Sequence, residues 1–212
     1  MSYSAKEIFF TLQGEGAQTG RAAVFCRFAG CNLWSGHEED RAAAVCQFCD
    51  TDFVGVNGVG GGRFEQAEAL AAAVDAAWPA GAAVEKKYVV CTGGEPLLQL
   101  DEVAIAALQA RGFTVAVETN GTIAAPACLD WVCVSPKAGA ELKQRTGDEL
   151  KLVYPQAGFG PELFEGLGFR NFFLQPMDGA RRVENTAAAV RYCMEHPRWR
   201  LSLQMHKIVG IA

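Results

Sequence analysis

The chain has 212 residues, half of them hydrophobic and a fifth charged, a composition that suits a folded protein with a sizeable core and excludes a disordered or fibrous one. Lysine and arginine (19) fall short of aspartate and glutamate (24), and the net charge of −5 argues against an electrostatic nucleic-acid or membrane-surface binder. No apolar run approaches the ~20 residues of a membrane helix. Residues 1–10, which include Lys6 and Glu7, lack the apolar core of a signal peptide, so a cytoplasmic location is expected.

In chain order, residues 23–29 form an apolar, β-favouring run and are read as a strand. Residues 55–62 are glycine-rich and read as a loop. Over 64–78, Ala67, Leu70, Val74 and Trp78 share one helical face, and Pro79 and Gly81 stop the helix. Residues 87–92 read as a buried strand, and the spacing of Leu100, Val103, Ala104, Ala107 and Leu108 predicts a helix that Gly112 ends. Strands are expected at 114–118, 131–134, 150–153 and 171–174, a helix over 183–195, and a last short strand at 201–205. Strands alternating with helices imply βα units and a mostly parallel sheet. About six strands, fewer than the eight of a closed barrel, predict an α/β fold built as an incomplete, TIM-like βα barrel. Ligands in such folds bind at the carboxyl ends of the strands. The whole chain, 1–212, is expected to be one domain.

Eight cysteines are many for a chain of this length in a reducing compartment, where disulfides are not expected. Cys31, Cys46 and Cys49 form a C-x14-C-x2-C group just after the first predicted strand. Thiolates suit iron–sulfur clusters and zinc alike. Three local ligands leave a structural zinc site one short, to be completed by a remote cysteine or His37, whereas three cysteines on a [4Fe–4S] cube would leave one iron open. Cys26, Cys91, Cys128, Cys133 and Cys193 fall mostly in apolar patterns and read as small core residues.

Further motifs stand in order behind this group: Thr92-Gly93-Gly94-Glu95-Pro96 at one strand end and Glu118-Thr119-Asn120-Gly121 at the next. Together they resemble the radical S-adenosylmethionine superfamily. Within it the chain resembles the 7-carboxy-7-deazaguanine synthases, on Leu12-Gln13-Gly14-Glu15-Gly16, Arg27-Phe28-Ala29-Gly30-Cys31-Asn32-Leu33, Cys49-Asp50-Thr51, Ser135-Pro136-Lys137, Gln175-Pro176-Met177-Asp178 and Gln204-Met205-His206-Lys207, which cover the chain from end to end. The superfamily's usual C-x3-C-x2-C spacing is expanded here by an insert at 32–45.

The resemblance implies a lyase that converts 6-carboxy-5,6,7,8-tetrahydropterin to 7-carboxy-7-deazaguanine with loss of ammonia, in queuosine-type deazapurine biosynthesis. It also implies a [4Fe–4S] cluster on Cys31, Cys46 and Cys49, S-adenosylmethionine, and Mg²⁺ at Thr51. Phe48, Asp50, Gly94, Ser135, Pro136, Lys137, Gln175, Pro176, Met177 and Asp178 would then hold S-adenosylmethionine. Leu12, Gln13, Gly14, Glu15, Arg27, Thr92 and the carboxylate of Ala212 would hold the pterin. Chemically, Glu15 matches the paired N–H donors of a pterin edge, Gln13 offers donor and acceptor, and Arg27 suits a substrate carboxylate. The implied partners are a flavodoxin or ferredoxin as electron donor and a second copy in a homodimer. Two other readings remain open: a radical activase acting on a partner protein, and a zinc-stabilised binding protein without catalysis.

Overall fold

The computed structural model describes residues 2–83 and 87–211. Among the described residues, nine strands form one sheet in the order β3-β1-β2-β4-β5-β6-β7-β8-β9. They are β1 (Tyr3–Leu12), β2 (Ala22–Phe28), β3 (Gly62–Phe64), β4 (Tyr88–Gly93), β5 (Thr114–Thr119), β6 (Trp131–Val134), β7 (Thr146–Tyr154), β8 (Gly168–Pro176) and β9 (Trp199–Leu201). From β2 through β9 every pairing is parallel, whereas β1 runs antiparallel to both β2 and β3. The parallel, barrel-like part is the one expected, but the sheet has nine strands and not six. β1 and β3 were absent from the sequence reading, and 201–205 is not a strand: β9 ends at Leu201 and a short helix begins at Met205.

A bulge hides β1 from a period-two reading. Its pairing with β2 shifts by one residue between Ala5 and Glu7, so Tyr3, Ala5 and Ile8 face the outer core while Glu7 and Phe9 face inward. The strand ends because Gln13 and Arg21 close a turn, with the Gln13 N–H donating to Arg21 O at 2.8 Å.

Helices cover the outer face. α1 (Ala67–Ala77) and α2 (Glu102–Gln109) pack together, and α1 lies on β1 and β2. Leu70, Val74, Ile105 and Leu108 are fully buried there, each worth about 1.5–3 kcal/mol. Asp101 caps α2 by accepting from Ala104 N at 2.9 Å, and Trp78 with Pro79 ends α1. α3 (Arg182–Glu195) packs on β8 and β9 over a second core built from Leu150, Leu152, Phe172, Leu174 and Trp199. Cys26, Cys91 and Cys133 are buried, as expected of core residues, but Cys128 is exposed.

The inner face of the parallel strands has two layers. Ala23, Tyr88, Val90 and Ala116, with Phe25 and Trp131, form an apolar plug at the bottom. Arg21 stacks on the Tyr88 ring beneath it, 3.8 Å from the centroid. Above the plug, toward the carboxyl ends, the inward positions turn polar, and the cavity opens there.

The open side of the sheet lies between β9 and the antiparallel edge. Single hydrogen bonds bridge it in place of a ladder. Gly16 N donates to Ser202 Oγ at 2.9 Å, and Met205 N donates to Gly14 O at 3.0 Å. These bonds draw α4 (Met205–Val209) over the turn that follows β1.

Candidate active site

A cavity of about 400 Å³ sits at the carboxyl ends of the parallel strands, within the range of small-molecule sites. Its lining includes Leu12, Gln13, Gly14, Glu15, Arg27, Cys31, Cys46, Phe48, Cys49, Asp50, Thr51, Thr92, Gly94, Ser135, Lys137, Gln175, Pro176, Met177 and Asp178. These are the sequence-selected residues with two exceptions. Pro136 is absent from the lining and turns its carbonyl to Gln156 Nε2 at 3.3 Å. Ala212 lies outside the described residues.

The three thiols share one end of the cavity. Cys31 follows β2, where Leu33 N donates to its Sγ at 3.4 Å. Burial pushes the Cys31 and Cys46 thiols up, and the neighbouring cysteines add to the shift. Such thiols stay neutral until a metal centre offers positive charge. Among the described residues, no three His, Cys, Asp or Glu side chains are drawn together round a single ion. As a donor set, three soft thiols near enough to act on one another's charge are of the kind that suits an iron–sulfur cluster. His37, the candidate fourth zinc ligand, is exposed.

Glycine is required beside this loop by crowding. A Cβ on Gly94 would stand 2.1 Å from Gly30 O and 2.7 Å from Cys31 Cβ. The backbone of the G-G-E-P turn therefore lies directly against the start of the cysteine loop, and Glu95 N donates to Gly30 O at 2.9 Å. Glu95 itself is fully buried and accepts from Leu97 N, Asn120 N and Thr119 Oγ1 at 2.8–3.0 Å. Burial still leaves its carboxyl above the usual range. Its work is to tie two strand ends together, which explains why the motif needs a carboxylate there.

The insert at 32–45 folds as a clamp on the C-x2-C turn. Arg41 donates through Nη1 to Gln47 O and Cys49 O, both at 3.1 Å, and its guanidinium stacks 4.0 Å from the Trp34 ring centroid. Trp34 packs edge-on to Phe53 in turn. Asn32 is anchored across the cavity rim by Asn120 Nδ2 at 2.9 Å.

At the other end of the cavity, inward side chains of β4, β5 and β7 meet the turn after β1. Lys151 Nζ donates to Glu15 Oε2 at 2.5 Å and to Glu118 Oε1 at 3.3 Å. Gln13 Nε2 and Thr92 Oγ1 also donate to Glu118, at 3.0 and 3.3 Å. The Gln13 Oε1 accepts from Glu15 N at 3.0 Å, so one amide joins both acids. Burial alone would raise the Glu118 carboxyl, but the Lys151 ammonium and the hydrogen bonds from Gln13, Lys151 and Thr92 outweigh it and hold it below the usual range. For Lys151 burial would lower the value, yet Glu118 and Glu15 keep the ammonium charged well above the ordinary lysine range. Arg27 also lines this end, with its Nε donating to Glu7 Oε1 at 2.7 Å.

Over the mouth, α4 brings its polar residues down. Lys207 Nζ bridges Asp50 Oδ2 at 2.5 Å and Asp178 Oδ2 at 2.6 Å, and Gln204 Nε2 donates to Glu15 Oε1 at 3.1 Å. A Cβ on Gly14 would collide with His206, 2.3 Å from Nδ1 and 2.9 Å from its backbone N. Lys137 donates to Ser135 O and Oγ at 2.6 and 2.7 Å and lies 6.0 Å from the Phe48 ring centroid.

Lys151 was missed in the sequence. Its signal is a lysine between Leu150 and Leu152 in a strand whose alternate residues are buried on the outer face. Glu118 and Lys207 stood inside quoted motifs without assigned roles; their partners come from distant segments.

No family model matches the chain. It is 65% identical over 211 residues to the 7-carboxy-7-deazaguanine synthase of Caulobacter vibrioides and 64% identical to that of Bradyrhizobium diazoefficiens, with all of both chains covered in each case. The crystal structure of QueE from Escherichia coli superposes with a TM-score of 0.72 at 26% identity, over 97% of this chain and 95% of that one. Full-length identity at this level, together with a cavity that gathers nearly every residue the resemblance selects, settles the assignment: the chain belongs to the 7-carboxy-7-deazaguanine synthase family.

Proposed function

We propose that this protein converts 6-carboxy-5,6,7,8-tetrahydropterin to 7-carboxy-7-deazaguanine with loss of ammonia, as a radical S-adenosylmethionine lyase of queuosine-type deazapurine biosynthesis. The observation that carries the proposal is one cavity with two chemically different ends: three thiols at one and a hydrogen-bonded carboxylate pair at the other.

Cys31, Cys46 and Cys49 would hold a [4Fe–4S] cluster, and Phe48, Asp50, Gly94, Ser135, Lys137 and Gln175 to Asp178 would surround S-adenosylmethionine beside it. When bound, these groups supply a one-electron cleavage that yields a carbon-centred radical able to take hydrogen from the substrate. The chain's own residues bind and orient. Gly94 lets backbone approach the methionine end, where a side chain has no room. Glu15 presents two acceptor oxygens to the N–H edge of the pterin, and Gln13 fixes the Glu15 backbone. Arg27, steadied by Glu7, faces the substrate carboxylate. Thr51 supplies a hard oxygen for Mg²⁺. The apolar plug closes the cavity from below.

The whole chain acts as one domain with the clamp at 32–45 inserted in its cysteine loop. A cytoplasmic location, a homodimer and a flavodoxin or ferredoxin as reductant complete the proposal. Among the described residues no helix is long and apolar enough to cross a membrane.

The test is anaerobic reconstitution with iron and sulfide, reduction, and incubation with S-adenosylmethionine, Mg²⁺ and the tetrahydropterin. Mass spectrometry should find 7-carboxy-7-deazaguanine, on protein carrying about four irons. Iron loading and 5′-deoxyadenosine without that product would discard the pterin as substrate.

A further inference from the structure

Resting on the pterin reading, a buried ammonium that no motif includes has a definable task. Lys151 reaches inward from β7, 136 residues along the chain from Glu15 and 33 from Glu118, and contacts both. Three carboxylates face this one cation: Glu15 from the turn after β1, Glu118 from β5, and Glu149 two residues before it on the same strand. Cys133 of β6 and Lys137, in the loop after β6, are also near enough to act on it or be acted on by it. Glu149 has a separate partner, accepting from Ala17 N at 2.8 Å, and burial raises its carboxyl. The charged groups in direct contact with Lys151 are therefore two carboxylates, Glu15 and Glu118.

Both oxygens of Glu15 have a donor: Lys151 on Oε2 and Gln204 on Oε1. This is the pattern that a 2-amino-4-oxo ring would present, with its ring N–H on one oxygen and its amino group on the other. Each carboxylate oxygen has a second lone pair with which to receive it.

We infer that Lys151 is a positioning and specificity residue: its ammonium holds the Glu15 carboxylate in place as a double acceptor, so that the site reads a donor–donor pterin edge and refuses a donor–acceptor one. Without Lys151 the partly buried carboxylates of Glu15 and Glu118 lose the ammonium they share, and a proton takes its place on one of them. A protonated carboxyl offers one donor and one acceptor. That matches a 2,4-dioxo ring, a lumazine, in place of a pterin.

Binding tests this without turnover. The cluster-loaded enzyme, with S-adenosylmethionine and Mg²⁺, is titrated with the fluorescent, fully oxidised 6-carboxypterin and with 6-carboxylumazine, from pH 6 to 8.5. The unaltered enzyme should prefer the pterin at every pH. Lys151→Met should lose about 10- to 100-fold in pterin affinity. Its remaining pterin affinity should fall with decreasing pH while its lumazine affinity rises. Lys151→Arg should keep the preference and the flat profile. If Lys151→Met does not fold, the pair Lys151→Met with Glu118→Gln, which removes one carboxylate along with the cation, should fold and recover the pterin preference.

Loss of affinity for both ligands by the same factor with no pH dependence would reduce Lys151 to a structural residue and overturn the inference. An unchanged ratio in Lys151→Met, or a double variant that fails to prefer the pterin, would do the same. Absence of pterin binding by the unaltered enzyme is a different result: it overturns the proposed function itself.

Discussion

The cavity contains the same device twice, at two depths. At its floor one ammonium, Lys151, meets Glu15 and Glu118; at its mouth another, Lys207, meets Asp50 and Asp178. The side chains at the floor are 5, 13 and 21% exposed, and those at the mouth 32, 45 and 32%. Distances do not separate them, since the shortest contact in each is 2.5 Å. Surroundings do. Water and salt screen the mouth, so its ion pairs act as a latch that can open. The floor is better shielded from water, and its charges hold one another in place at large cost if any is removed. A latch at the entrance and a fixed reader at the base suit a site that must admit a substrate and then orient it.

The largest effect should come from the floor. Lys151→Met is expected to lower stability by about 3–5 kcal/mol, the usual result of stranding a buried charge, and added salt should leave that loss unchanged. A loss under 1 kcal/mol in denaturant unfolding would erase the contrast between floor and mouth.

Next comes Glu118→Gln, at about 1–3 kcal/mol near neutral pH. Glu118 has a folded pKa below the usual carboxylate value, so its stabilisation is present above the unfolded-state value of ~4.3 and fades as pH falls through the lower folded one. The gap between variant and parent should therefore close on acidification. A gap that widens toward low pH would reverse the sign of the argument.

Gly14→Ala should be smaller and should separate the two regions. It drives α4 outward through the His206 backbone and leaves Lys151 untouched, so pterin affinity should weaken about tenfold, ~1.4 kcal/mol, with little change in unfolding. A loss of global stability as large as that of Lys151→Met would mean that mouth and floor are one unit.

The smallest effect is expected from Lys207→Met: under ~1 kcal/mol, shrinking further in high salt. Its readout is faster release of bound S-adenosylmethionine, by stopped-flow, since the latch joins the loop bearing Asp50 to the end of β8. Release rates equal to the parent's would leave the latch without a function.

Much of this molecule is legible locally. Most strands of the parallel sheet contain an apolar run, the segments of α1 and α2 carry a helical spacing, and the motifs fall at strand ends because inward positions there face a cavity. The spacing of Cys31, Cys46 and Cys49, and the glycines before Glu95, could be read with no coordinates at all. These features depend on neighbours within a few residues, and backbone periodicity and turn chemistry act over that range.

Tertiary structure alone decided the rest. The bulge between Ala5 and Glu7 breaks the alternation that would have revealed β1, and only pairing with β2 restores its meaning. β3 is three residues at the end of a glycine-rich stretch and exists because β1 offers it an edge. Arg41 finds Cys49 only when the insert folds back, Lys151 finds Glu15 only when the sheet curls, and α4 finds Gly14 only where the open barrel leaves a gap. A charge in a sequence carries no record of its partner; the low dielectric of a closed interior makes the pairing compulsory, and that interior forms only when distant segments meet.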